Sequence, residues 1–291
     1  AWDIEPRDPK LSLPAGMQPG LMFNLSAAQN DVYGAEGAIT RIAYLEKLLR
    51  PFPARGLKGL HGYTEGNYDD INKVVALSLL SEPARPVRSI LDEYCRWYFG
   101  ANAAQASAIT TQILLLDDLA ANATKLPAII QELRSIERQL PAWGRGWRFE
   151  QLRLKAEIAA LDVQILDGVT PRGAEAGAPQ APDYKSTVAT KFREMVRKGL
   201  EYDDLAAVQN AISDANLYLV QKNLLVRRRA VLLHTLIDKV YKVDFDQLIG
   251  LTDIYLGDWP DWWSRESHRC NQVLDAATVA AQHKKIEELW P

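Results

Sequence analysis

The chain has 291 residues, with 34 basic and 37 acidic side chains and a formal net charge of −3. Apolar residues make up 47% and charged residues 24%, a globular balance that excludes wholesale disorder, and the even mix of signs leaves no basic footprint for nucleic acid. No apolar run approaches about 18 residues, so no membrane-spanning segment is expected.

In chain order, residues 1–20 carry Pro6, Pro9, Pro14 and Pro19 with Gly16 and Gly20, which blocks long regular structure. Ala1 in place of an initiator Met reads as a processed, trimmed or partial product. A strand-length apolar run, Leu21 to Leu25, follows, then a turn signal at Asn30, Asp31 and Gly34. Ile39, Ile42, Leu45 and Leu49 recur at helical spacing until Pro51 and Pro53 stop them. A second strand-like run spans Leu57 to Tyr63, and a helix is predicted from about Asp69 to Leu80. Strand, helix, strand and helix with short connections is the grammar of parallel α/β units.

From Pro86 onward every pattern is helical. Val87, Ile90, Leu91, Tyr94 and Trp97 mark a helix closed by Gly100, and Ile109, Ile113, Leu116 and Ala120 step by four, three and four. Further stripes run from Leu126 to Leu140 and from Leu154 to Ile165. A Gly-, Ala- and Pro-rich stretch, 170–182, reads as a flexible loop. Helices are predicted near Lys185–Lys198 and from about Asp203 to Tyr241. The expected fold is therefore mainly α: a helical, bundle-like domain over 86–291, preceded by a small α/β element over 1–85 with two parallel strands. Two strands do not make a sheet covered on both faces. Either the helical part shelters them, or they end a larger sheet, which is the preferred reading and would need an upstream domain or another chain to complete it.

The densest polar cluster lies where the second strand meets its helix: His61, Tyr63, Glu65, Asn67, Tyr68, Asp69 and Asp70, with Asn72 and Lys73 beyond. In parallel α/β folds, ligands and catalytic groups gather at the carboxyl ends of strands. Part of the cluster has a plainer explanation. Asn67 or Asp69 suits a helix cap, early acids suit the helix dipole, and Lys73 lies one turn from Asp69 for an ion pair. Neither explains Glu65, His61 and two tyrosines at one strand end.

The stretch from Gly59 to Gly100, with Glu65-Gly66 after a strand, a helix, and then VRSILDEYCRWYFG, resembles the close of a glycosidase (β/α)-barrel running into a helical domain. The alpha-N-acetylglucosaminidase family has a similar layout. The segment is also similar to the C-terminal half of secreted bacterial proteins of glycoside-hydrolase type, whose SEG and DDxNK motifs match Thr64-Glu65-Gly66 and Asp69-Asp70-Ile71-Asn72-Lys73. The likeness covers about 40 residues well and the rest loosely. It implies a carbohydrate-active protein, secreted or periplasmic, with carbohydrate as partner and no cofactor. Glu65 would be a carboxylate of the sugar site, Asp69 a candidate second acid, and His61, Tyr63, Asn67, Tyr68 and Asp70 its lining. Glycoside hydrolysis normally takes two carboxylates. Only one strand-end acid is evident, so an absent upstream barrel would leave this polypeptide inactive on its own.

The remaining candidates are fewer. Eight Trp and eleven Tyr outnumber six Phe, and Trp259, Trp262 and Trp263 crowd five positions. They read either as a sugar-stacking platform or as packing anchors for the end of the chain. The platform supports the alternative function, a non-catalytic helical module binding carbohydrate or a protein through Trp-rich surfaces. Arg227, Arg228 and Arg229 lie mid-helix and are expected to be solvated or paired with acids. His234, His268 and His283 lack ligand-spaced partners, so no metal is expected. Cys95 and Cys270 read as two buried thiols, with a single disulfide left open.

Overall fold

The computed structural model describes residues 20–25, 40–51, 59–63, 69–167, 184–240, 242, 259–275 and 279–290. The protein is mainly helical, as its sequence predicts. It divides into two compact units: the first holds the described residues up to Ala160 together with 235–240 and 242, the second 161–167, 184–234 and the described residues from 259 on. The expected boundary near residue 85 falls inside the first unit. No helix among the described residues is long and apolar enough to cross a membrane.

In the first unit, β1 (Gly20–Asn24) and β2 (Gly59–Tyr63) pair in parallel, Gly20 against Gly59 through to Asn24 against Tyr63. The helix α1 (Ile42–Leu49) lies between them in sequence and buries Ile42, Leu45 and Leu49, one apolar stripe. The helix α2 (Asp70–Ser81) leaves β2 and buries Ile71, Val75 and Leu79, again a single face. It packs against α1 and against α3 (Val87–Phe99).

Gly100 ends α3 in the left-handed conformation at φ 61°, which a residue with a Cβ adopts only with strain. Next comes α4 (Ala103–Asp117), opened by a capping box. Asn102 accepts from the Gln105 amide and Gln105 accepts from the Asn102 amide, each at 2.9 Å. The predicted stripe ran on to Ala120, but the helix breaks at Asp118, whose carboxylate accepts the Ala121 N–H at 3.0 Å and starts the one-turn α5 (Leu119–Asn122). A 3₁₀ turn, Ala123–Lys125, leads into α6 (Leu126–Gln139). A second 3₁₀ turn, Ala142–Arg145, forms the corner before α7 (Trp147–Ile165). Phe99 and Phe149 meet edge to face at 5.2 Å, with Tyr94 against Phe99 at 5.6 Å, so α3 and the start of α7 share one aromatic core.

The second unit comprises the end of α7, α8 (Tyr184–Gly199), α9 (Leu205–His234), α10 (Trp259–Leu274) and α11 (Val279–Leu289). α9 packs against α8 and α10, and α10 against α11. The α8–α9 approach is close, since a Cβ on Gly199 would stand 2.4 Å from the Ala211 Cβ. The helix predicted to run unbroken to about Tyr241 changes winding after His234 and continues as a π turn, Thr235–Val240. The predicted loop 170–182 lies outside the described residues.

Candidate functional site

The candidate site is built where β1 and β2 end and α2 begins. The parallel pairing places the last residues of both strands, Asn24 and Tyr63, side by side at one end of the pair. Asn72, fully buried on α2, accepts the Arg41 N–H at 2.9 Å and donates to the Leu25 carbonyl at 3.3 Å. One amide therefore joins the exit of β1, the entry of α1 and the first turn of α2. Asn72 stands in the cluster that the sequence marks out, but its positioning role is not readable there. Its partners lie 31 and 47 residues away, so no local pattern announces them.

Asp69 precedes α2 and is 2% exposed, with Lys73 ion-paired to it at 2.6 Å. The predicted one-turn pair is present, while Asp69 makes no side-chain cap to the α2 amides. Asp70 faces the other way. It binds the Arg148 Nε and accepts the Tyr94 hydroxyl at 3.1 Å. The Arg148 guanidinium stacks over Tyr98 at 4.4 Å and Trp147 at 4.2 Å. Burial first, and then the Asp70 charge, push the Tyr94 hydroxyl well above the ordinary tyrosine range, so it stays a neutral donor to Asp70.

His61 is exposed on β2. Tyr63 ends that strand. Glu65, Asn67 and Tyr68, between β2 and α2, lie outside the described residues, so the described part of the cluster brings together Asp69, Asp70 and the scaffold that fixes them. Among the described residues, no three His, Cys, Asp or Glu side chains gather as a metal-binding set.

The tryptophan group near the C-terminus sits in the second unit. Trp259 opens α10, Trp262 is buried and Trp263 is half-buried. Trp290, just past α11, packs edge to face on Phe192 of α8 at 5.8 Å. Cys95 and Cys270 are both buried and free, and burial pushes each thiol up to about 12.

Among the described residues, surface grooves also lie away from this cluster. One of about 590 Å³ runs along the outer face of α3, between Arg88, Asp92, Arg96 and the 74% exposed Trp97. Another, of about 380 Å³, lies between α10 and α11 beside Arg265 and His268. Neither is lined by a strand-end residue. Comparison with protein-family models, with curated proteins and with solved structures returns no match.

Proposed function

We propose that this chain is the C-terminal portion of a carbohydrate-active, glycoside-hydrolase-like protein, with Glu65 as the acting carboxylate of a sugar site at the carboxyl end of β2. The observation that supports this reading is the parallel pairing of β1 and β2 with α2 starting at the same end. That is the end of a parallel sheet at which ligands bind, and Glu65 follows the last residue of β2 by two positions. Two strands are too few for an independent sheet, which favours the tail of a (β/α)-barrel completed by an upstream domain or another chain. In this reading Asp69 and Asp70 position α2 through Lys73 and Arg148, and the second catalytic acid comes from the completing strands. A glycan substrate suits a secreted or periplasmic protein. The alternative, a non-catalytic module binding through Trp-rich surfaces, draws less support because Trp262 turns its ring into the core.

The test is turnover of a panel of aryl-glycosides by the protein assembled with the strands that complete its sheet, and by the same assembly carrying Glu65→Gln, with thermal stabilisation by monosaccharides measured alongside. A catalytic Glu65 predicts a loss on the order of 10²–10⁴-fold in turnover, the range typical of a general acid or base. Equal turnover in both proteins sinks the role of Glu65. A completed assembly that neither turns over any glycoside nor gains stability from any saccharide sinks the carbohydrate reading.

A further inference from the structure

Helix α9 carries two charges within its apolar inner face and four apolar side chains on its outer one. Its buried stripe, running from Val208 to Leu233, includes Lys222 and Arg229. Its solvent side carries Leu217, Val220, Leu224 and Val231, which are 54%, 39%, 55% and 64% exposed. The outer four are spaced by three, four and seven residues, the repeat of a helix–helix seam. Leu217 and Leu224 each lie two residues from a buried position, Leu219 and Val226, which is about 200° around the helix, so the seam points directly away from the unit's own core.

The charges along the seam are ordered. Asp214 lies one turn before Leu217, and Arg227 and Arg228 one turn after Leu224. All three are exposed and none makes an ion pair among the described residues. We infer that this seam is the interface of an antiparallel dimer of two copies of this chain, with its two-fold axis beside Val220 and Gln221. That axis sets Leu217 of one copy against Leu224 of the other and Asp214 against Arg227 and Arg228, twice over by symmetry. A parallel pairing would set Asp214 against Asp214 and the arginines against each other. Acid at one end and base at the other therefore select the antiparallel arrangement and a second copy of the same surface as occupant. From Gln209 to His234 the seam is about 40 Å long and about 10 Å wide, which places it among small, reversible interfaces.

The test uses the full chain and sedimentation equilibrium, with cysteine cross-linking to fix the geometry. The buried Cys95 and Cys270 leave an introduced surface thiol as the reactive one. Gln221→Cys stands beside its own copy across the axis and is expected to oxidise to a covalent dimer of twice the chain mass. Ser213→Cys lies about 22 Å along the seam from its own copy and is expected to stay monomeric. Asp214→Arg is expected to shift sedimentation toward the mass of one chain, and Asp214→Arg combined with Arg227→Asp and Arg228→Asp to return it toward two. These are surface positions, and circular dichroism checks that each variant keeps its helices. A parent at one chain mass at every concentration, with no cross-link at residue 221, overturns the dimer and leaves the seam to a different partner. Equal cross-linking at 213 and 221, or no recovery in the charge-swapped variant, overturns the antiparallel geometry.

Discussion

The Asp117 carboxylate, at the end of α4, accepts the Ile42 N–H at 2.7 Å and the Ala43 N–H at 2.9 Å. The residue preceding α1, Arg41, gives no side-chain cap, so the acid that satisfies the start of α1 comes from 75 residues further along the chain. This one group ties the crossover helix of the strand pair to the helical stack behind it. Asp117→Ala is expected to cost about 1–2 kcal/mol, within the range of lost helix caps. Asp117→Asn should recover part of that, keeping an acceptor without the charge that favours a helix N-terminus. Urea unfolding of the three proteins checks the order; equal midpoints for Ala and the parent would remove the cap from the fold's support.

Gly144 and Gly100 fix the corner between α6 and α7. A Cβ on Gly144 would stand 2.0 Å from the Phe99 carbonyl oxygen, and one on Gly100 would stand 2.5 Å from the Trp143 ring. The first obstacle is backbone, which cannot swing aside. The second is a 64% exposed side chain, although Gly100 adds the cost of a left-handed backbone. Both Gly→Ala changes are expected to destabilise by about 1–3 kcal/mol, as overpacking does. Gly144→Ala should be the worse, because relieving it separates the corner from α3 and disturbs the Phe99–Phe149 contact. Thermal unfolding of the two variants decides the ranking.

Arg229 is 3% exposed and binds Asp162 at 2.5 Å, and Tyr184 donates to the same carboxylate at 2.7 Å. Removing the acid takes a charge partner from a buried guanidinium, so Asp162→Ala is expected to cost up to about 3–5 kcal/mol. Arg229→Met removes the charge itself, keeps an apolar stem against the Tyr184 ring and should cost less. The comparison is made by chemical denaturation. An Asp162→Ala protein as stable as Arg229→Met would mean that the pair is already solvated.

These residues also show what was legible in the sequence. The helices from α3 to α9 announce themselves through apolar stripes, and Gly100 reads correctly as a stop. The exceptions have physical causes. The stripe through Ile109 and Leu116 continues in register past residue 117, so it hides the break that Asp118 makes by bonding its own downstream amide. The inward face of α10 runs Trp262, Glu266, Cys270 and Val273, and the buried Glu266 interrupts the apolar pattern that would have identified the helix. The three adjacent arginines read as solvated or paired with acids, and both occur: Arg227 and Arg228 are exposed, and the buried Arg229 pairs with Asp162. At the candidate site the strand-to-helix handover and the Asp69–Lys73 pair were readable because they are local. The roles of Asn72, Asp70 and Arg148 were not, because their partners are brought together only by the fold. Asp70 and Arg148 are 78 residues apart.

The buried thiols set the protein's response to alkali. Cys95 and Cys270 ordinarily titrate near 9.0, and burial in the folded chain raises both to about 12. The unfolded chain therefore loses these protons first as pH rises. The stability they contribute is complete below pH 9 and is lost progressively toward pH 12. While a thiol is ionised in the unfolded chain and neutral in the folded one, the slope is at most about 1.4 kcal/mol per pH unit for each thiol. Tyr94, likewise raised by burial and by Asp70, adds to the loss at pH values above its ordinary 10.0. Urea midpoints are expected to hold up to pH 9 and to fall beyond it. Cys95→Ala and Cys270→Ala should each be less stable than the parent at neutral pH and lose stability less steeply above pH 9. A parent profile that stays flat above pH 9, or thiol variants that keep the full parental slope, would show that these sulfurs reach solvent in the folded chain.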